Sequence, residues 1–213
     1  MISFFIKRAF DILFALVGSV FAIPVLFLAG CMVKICSPES PVIFRQTRVG
    51  RGRRNFTIYK LRTMTNERDA EGNLLPDEKR LKRWGKLIRA TNIDELTQII
   101  NILKGEMSWI GPRPLLPDEM CVMTEEEQEL RQSFYPGITG WEAVNEGKSS
   151  TRREMAEFDL EYVRNWSLWF DIRIFFWTMA IILLKRRPED SVRAPKVLES
   201  ERIAKDGKEG KQA

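Results

Sequence analysis

The sequence predicts a predominantly helical α/β protein, and three observations carry that expectation. From Ile12 to Val33 no charged residue occurs, which is long enough for a membrane helix. Leu81, Trp84, Leu87 and Ile88, and then Ile93, Leu96, Ile99, Ile100 and Leu103, recur at helical spacing. Between these segments, Phe56-Thr57-Ile58-Tyr59-Lys60-Leu61 is dense in strand formers.

Composition narrows the chemistry. The 213 residues suit one domain with appendages, and a formal charge of +5 favours anionic partners such as phosphates or lipid headgroups. Cys31, Cys36 and Cys121 have no metal-ligand spacing and read as reduced thiols. The chain has no histidine, which excludes a His-activated nucleophile and a His-ligated zinc. Catalysis would fall to carboxylates, Lys, Arg, Tyr, Ser or Thr, and a metal would be a hard cation on oxygen ligands.

Taken in order, the N-terminal segment opens on Lys7 and Arg8 and ends near Lys34. The apolar run continues past the weak cleavage-like triplet Val20-Phe21-Ala22, so we expect no signal-peptide cleavage. Pro24 lies mid-run, where it removes a helix hydrogen bond. Cationic flanks on both sides favour one shared cytoplasmic face. A re-entrant hairpin broken at Pro24 and a kinked span both remain open on these residues alone.

Pro41-Val42-Ile43-Phe44 and Phe56 to Leu61 are strand candidates joined by the basic turn Val49-Gly50-Arg51-Gly52-Arg53, forming a hairpin. Asn66 to Asn73 is a polar loop, and Lys79 to Arg89 is predicted as one helix that delivers Arg89 to Asp94-Glu95. The acid pair has two readings. Thr91-x-x-Asp94 and Asn92-x-x-Glu95 resemble capping boxes at a helix start. Two carboxylates flanked by Arg89 and Arg113 also suit a site for a metal ion and phosphates. Gly105 is a plausible stop for the helix that follows.

Ser108 to Pro117 contains Pro112, Pro114 and Pro117, so it forms a stiff loop that fixes Arg113. Glu125 to Leu130 reads as an acidic, solvated helix, and Glu154 to Val163 as a further helix. In Tyr135 to Trp141, two glycines suit either a turn or close approach to a ligand. The aromatic stretch Asn165 to Phe170 and the apolar stretch Ile174 to Leu184, followed by Lys185-Arg186-Arg187, suit an interfacial amphipathic helix or a buried core helix. The charged tail, 188–213, is expected to be mobile or weakly helical.

Several ordered motifs then coincide. Lys60-Leu61-Arg62-Thr63-Met64, Leu87-Ile88-Arg89, Asp94-Glu95-Leu96-x-Gln98, Asn101-x-Leu103-Lys104-Gly105-Glu106-Met107-Ser108, Gly111-Pro112-Arg113-Pro114 and Pro136-Gly137-Ile138-Thr139-Gly140 follow the proline-interrupted apolar segment. Over nearly all of residues 1–185 the chain resembles the bacterial sugar transferase family, the small monotopic phosphoglycosyl transferases made of the catalytic core alone. The resemblance implies transfer of a sugar 1-phosphate from a UDP-sugar to polyprenyl (undecaprenyl) phosphate, with Mg²⁺, to start a surface glycan. It further implies that Asp94 forms a covalent phosphosugar intermediate and is the residue at the metal. It makes the N-terminal helix re-entrant, bent at Pro24, and puts a monotopic protein on the cytoplasmic face of the bacterial inner membrane.

On physical grounds Arg89 and Arg113 would grip phosphate oxygens in a bidentate way, with Lys60 and Arg62 adding charge. Glu95 would orient the metal or accept a proton. The expected division is 1–36 as membrane hairpin, 37–187 as catalytic domain and 188–213 as tail. Membrane lipids are expected partners and nucleic acid is not, while a homodimer stays an option. A membrane-anchored basic adaptor without catalysis is the competing reading. Three departures from the family pattern stand out: Ile23 before Pro24, Thr97 where proline is usual, and Glu142 to Lys148, where Lys148 stands in for an arginine.

Overall fold

The computed structural model describes residues 2–145 and 151–184. Lys148, Lys185-Arg186-Arg187 and the 188–213 tail lie outside the described residues. The chain divides into two compact units. One takes the described residues up to Arg48 together with Asn55–Met107, and the other takes Val49–Arg54 and the described residues from Ser108 onward. Helices dominate both, each with a two-stranded sheet.

In the first unit, α1 (Ile2–Cys36) is a single helix that contains Pro24. It is long and apolar enough to cross a membrane. Its buried positions, Lys7, Asp11, Ala15, Ala22, Ala29 and Val33, fall on one stripe, and small residues there allow close approach. Phe5, Phe14, Phe21, Phe27 and Leu28 on the remaining surface are exposed. Strands β1 (Ile43–Val49) and β2 (Asn55–Leu61) form the expected hairpin, although each is longer than its apolar run suggested. Its turn uses positive φ at Gly52 and Arg53.

The helix predicted from Lys79 to Arg89 is two helices, α2 (Asp77–Arg80) and α3 (Arg83–Ala90). The break at Leu81-Lys82 lets Arg80 Nε donate to the Thr65 carbonyl at 2.9 Å. It also seats Gly85 against the chain at Thr63, whose carbonyl would lie 1.9 Å from a Cβ there. After α3 come a 3₁₀ segment, Ile93–Gln98, and the short helix α4 (Ile99–Leu103), closed by Gly105 with φ +84°. Ala29 and Val33 of α1 share a core with Leu61 and Ile88, and each fully buried aliphatic side chain contributes roughly 1.5–3 kcal/mol.

In the second unit, β3 (Ser108–Ile110) pairs in parallel with β4 (Gly137–Thr139), so the glycines of the Pro136-to-Gly140 motif serve backbone packing. A Cβ on Gly137 would lie 2.2 Å from the Gly111 nitrogen, and one on Gly140 would lie 2.1 Å from the Gly111 carbonyl. Helices α5 (Glu125–Arg131), α6 (Trp141–Val144), α7 (Arg152–Arg164) and α8 (Leu168–Leu184) complete the unit. Thr124 and Thr151 form capping boxes with Glu127 and Glu154. The core gathers Ile110, Trp141, Val144, Phe158, Tyr162 and Ile174.

Helix α5 is more than a solvated face. Its last residue, Arg131, is fully buried, with Nε and Nη2 at 3.1 and 2.5 Å from Asp159 Oδ2 on α7. Its Glu127 binds Arg153 at 2.5 Å, and that guanidinium holds the carboxyl down at about 2. In α8, Asp171 is buried and accepts from Tyr162 Oη at 2.7 Å and Trp166 Nε1 at 3.2 Å.

Three substitutions test this packing. Gly137→Ala should cost more than about 3 kcal/mol because backbone, not a flexible side chain, blocks the new methyl. Gly52→Ala, at φ +65° with nothing within 4 Å, should cost only about 1 kcal/mol. Asp159→Asn, which leaves Arg131 buried and uncompensated, should cost about 3–5 kcal/mol. Denaturation of the purified variants in detergent ranks all three.

Candidate active site

The acid pair belongs to the first unit. Its segment does not start as a capped α-helix. Thr91 Oγ1 donates backwards to the Leu87 and Ile88 carbonyls at 3.1 and 2.9 Å, so it closes α3. Asn92 is left-handed, with φ +54°, and makes no side-chain cap bond. Both capping-box readings therefore fail. Asp94 and Glu95 lie on a six-residue 3₁₀ segment, too short for a macrodipole argument. Consecutive side chains there diverge by about 120°.

The segment is fastened to β2. Thr97 Oγ1 donates to the Tyr59 carbonyl at 2.7 Å. Asn101, fully buried on α4, donates from Nδ2 to the Thr57 carbonyl at 2.7 Å, and its Oδ1 accepts from the Tyr59 N–H at 3.3 Å. The hydroxyl of Thr97, at the position where proline is usual, thus replaces rigidity with a cross-link. Neither residue was picked out as functional from the sequence. The available signal was two small polar residues, Thr97 and Asn101, four apart among Ile93, Ile99 and Ile102.

Among the cations of this unit, Lys60 meets the pair directly, with Nζ 2.8 Å from Glu95 Oε1 and both side chains about a third exposed (30% and 31%). Arg89 Nε donates to Thr63 Oγ1 at 2.9 Å. Arg62 is tied elsewhere, to the Pro41 carbonyl at 2.7 Å and Asn66 Oδ1 at 2.9 Å. Desolvation, reinforced by Arg80, lowers its pKa. Burial pushes the Asp94 carboxyl above the ordinary aspartate range, and the Glu95 charge adds to this. Lys60, Asp94's own N–H and Arg89 pull it back.

Arg113 belongs to the second unit, and its loop is held as the prolines suggested, although the holding groups are distant in sequence. The Arg113 N–H donates to both Asp159 oxygens at 3.3 Å, and its carbonyl accepts from Arg131 Nη2 at 2.5 Å. The side chain is half exposed, with Nη1 3.9 Å from Glu142 Oε2. Burial raises the Asp159 pKa, while Arg131 and the Arg113 N–H oppose the shift.

Among the described residues, no three His, Cys, Asp or Glu side chains group as a closed metal cage. The adjacent carboxylates still fit Mg²⁺, which is usually held by one or two carboxylates and completed by water and substrate phosphates.

Comparison with known proteins agrees with the motifs. A family model described as bacterial sugar transferase matches residues 2–185. A Bacillus subtilis (strain 168) protein named uncharacterized sugar transferase EpsL is 44% identical over 179 residues, covering 84% of this chain and 88% of its own. An Aeromonas hydrophila UDP-N-acetylgalactosamine-undecaprenyl-phosphate N-acetylgalactosaminephosphotransferase is 39% identical, covering 84% of this chain and 44% of its own. The Escherichia coli (strain K12) UDP-glucose:undecaprenyl-phosphate glucose-1-phosphate transferase is 41% identical, covering 82% of this chain and 39% of its own. The chain thus spans less than half of these last two relatives. With the family model matched over residues 2–185, from α1 through α8, the chain belongs to the bacterial sugar transferase family.

Proposed function

We propose that this protein transfers a sugar 1-phosphate from a UDP-sugar to polyprenyl phosphate, with undecaprenyl phosphate as the natural acceptor, in the first membrane step of surface glycan synthesis. One observation carries the reading. Asp94 is a half-buried carboxylate beside a second carboxylate that Lys60 already neutralises, on a segment cross-linked to β2. Relatives at 39% and 41% identity are named as transferases between such substrates.

In the first step an Asp94 oxygen attacks the sugar-bearing phosphorus of the donor. The bond from that phosphorus to the bridging oxygen breaks, and UMP leaves with the electron pair. In the second step a phosphate oxygen of the lipid attacks the same phosphorus, and the Asp94 carboxylate is released. Asp94 and Glu95 would hold Mg²⁺, which when bound supplies charge neutralisation to the diphosphate. Arg89, fixed by Thr63, presents a planar donor set for phosphate oxygens. Partial desolvation strips water from the Asp94 nucleophile and raises its pKa, and Lys60 and Arg89 oppose that rise.

The membrane geometry is part of the proposal. Residues 1–36 dip into one leaflet and return to the same face, turning at Pro24, while 37–187 form the catalytic body on the cytoplasmic side. The polar anchors of α1 support this. Arg8 donates to the Met107 carbonyl at 2.8 Å and to the Ile102 carbonyl, while Val33 packs with Leu61 and Ile88 of the same unit. Along α8, Trp169, Phe176, Leu183 and Leu184 are exposed, which supports a helix lying at the interface.

Asp94→Asn should lower UMP release from a UDP-sugar with Mg²⁺ by roughly a thousandfold or more while the protein stays folded. Mass spectrometry of wild type trapped with donor should find a phosphosugar on Asp94. Full turnover by the variant would return the reading to a non-catalytic adaptor. For topology, Ser3→Cys and Glu39→Cys, in a background with the native cysteines replaced by serine, should both resist an impermeant maleimide in intact cells. Both should react once the cells are opened, and labelling of Ser3→Cys from outside would refute the hairpin.

A further inference from the structure

The four cations expected around the acid pair in sequence have different commitments in the structure. In its unit, Arg62 is bound to the Pro41 carbonyl and Asn66, and Arg89 to Thr63. Arg113 belongs to the other unit. Lys60 alone among the four forms an ion pair with the acids, at 2.8 Å from Glu95 Oε1. Lys60 is anchored on β2, the strand to which the 3₁₀ segment is cross-linked through Thr97 and Asn101. The pairing therefore joins side chains carried on two cross-linked backbone segments.

We infer that Lys60 is a tethered counter-ion that competes with the divalent cation for the Glu95 carboxylate. This rests on the proposed reading of Asp94 and Glu95 as the cation-binding pair. Two carboxylates on consecutive residues repel each other when both are charged and no cation is present, and an ammonium on one of them relieves that repulsion. A lysine suits the task because its charge is compact and its four-carbon stem flexible, so it can leave without moving the backbone. An arginine would bind the carboxylate through a planar fork and release it less readily. When a cation claims Glu95, the Lys60 ammonium is freed beside Asp94, where an incoming diphosphate brings anionic oxygens. The exchange puts a divalent cation on the acid pair in place of a monovalent ammonium and leaves that ammonium for the donor, so cation binding and substrate binding are mutually supportive.

The test is Mn²⁺ binding to the full-length enzyme in zwitterionic nanodiscs without any substrate, read by electron paramagnetic resonance. Lys60→Met removes the competitor and should tighten the Mn²⁺ Kd about two- to fivefold, the range expected for a partly exposed ion pair. Lys60→Arg keeps the charge and should bind Mn²⁺ no more tightly than wild type. Glu95→Gln should weaken binding in both the wild-type and Lys60→Met backgrounds. Thermal melting checks that each variant is folded. Unchanged or weaker Mn²⁺ binding in Lys60→Met, with Glu95→Gln still weakening it, would overturn the competition and leave the carboxylate reading standing. Mn²⁺ binding that ignores both Asp94→Asn and Glu95→Gln would overturn the carboxylate reading and this inference with it.

Discussion

Two neighbouring carboxylates cannot be kept charged and half-buried without a partner, and much of the first unit answers that constraint. Lys60 supplies the counter-charge, and the backbone is arranged so that it can. The Thr97 hydroxyl and the Asn101 amide replace bonds that a regular strand partner would give β2. They tie the acid-bearing segment to the strand that carries the lysine. A continuous α-helix through Asp94 would have moved these side chains to a different pitch. The left-handed Asn92 prevents it, ending α3 and starting the tighter 3₁₀ turn. Asparagine accepts that conformation at little cost, whereas a β-branched residue would not.

The second unit solves a different problem, which is to hold a loop that lacks regular structure. Prolines limit the backbone of the Arg113 loop, but they do not hold it in place. The buried Arg131–Asp159 pair does, by bonding both the N–H and the carbonyl of Arg113. Such a pair is expensive to desolvate and would contribute little to stability as an isolated contact. Its value lies in the three extra hydrogen bonds, which spend otherwise unsatisfied oxygen and nitrogen valences on the one peptide unit that must be fixed. The close backbone contacts of Gly111, Gly137 and Gly140 serve the same loop from its other side.

Much of this fold could be read from local pattern, and the limits of that reading have a common cause. The hairpin, the α7 and α8 segments and the stop at Gly105 depend on residues a few positions apart, so composition and spacing exposed them. Asp94, Glu95 and Arg89 were marked by motif, and Gly105 by its backbone role. The break at Leu81-Lys82 was hidden because it depends on Arg80 reaching Thr65 and on Gly85 meeting the chain at Thr63. The parallel pairing of β3 with β4 joins two three-residue strands that are far apart in sequence, and neither is long enough to show an alternating pattern. Arg131, one residue past the helix predicted from Glu125 to Leu130, carried no local signal because its partner, Asp159, lies on another helix. The capping motif around Thr91 misled for the opposite reason. It was a sound local signal, overridden when the threonine hydroxyl found the carbonyls of the preceding turn.

The position of α1 follows from where its polar residues are spent. Arg8 and Val33 lie about 35–40 Å apart along a straight helix, roughly the thickness of a bilayer. Both nonetheless engage one unit. Arg8 satisfies carbonyls at the end of α4, and Val33 joins a core with β2 and α3. For α1 to stand upright as a span, that unit would have to reach both sides of the membrane, carrying Lys60, Arg62 and Arg89 through hydrocarbon at prohibitive cost. A helix that shares one face of the membrane with its unit avoids this. Its stripe of Ala15, Ala22 and Ala29 lies against protein, and Phe5, Phe14, Phe21 and Phe27 are exposed. Pro24 removes one hydrogen bond at the middle of the apolar run and so lowers the cost of the bend that the proposed re-entrant placement needs. The proposed re-entrant arrangement would bring a water-side acid pair and a lipid-borne phosphate to the same depth, as the proposed group transfer between a soluble donor and a membrane acceptor requires.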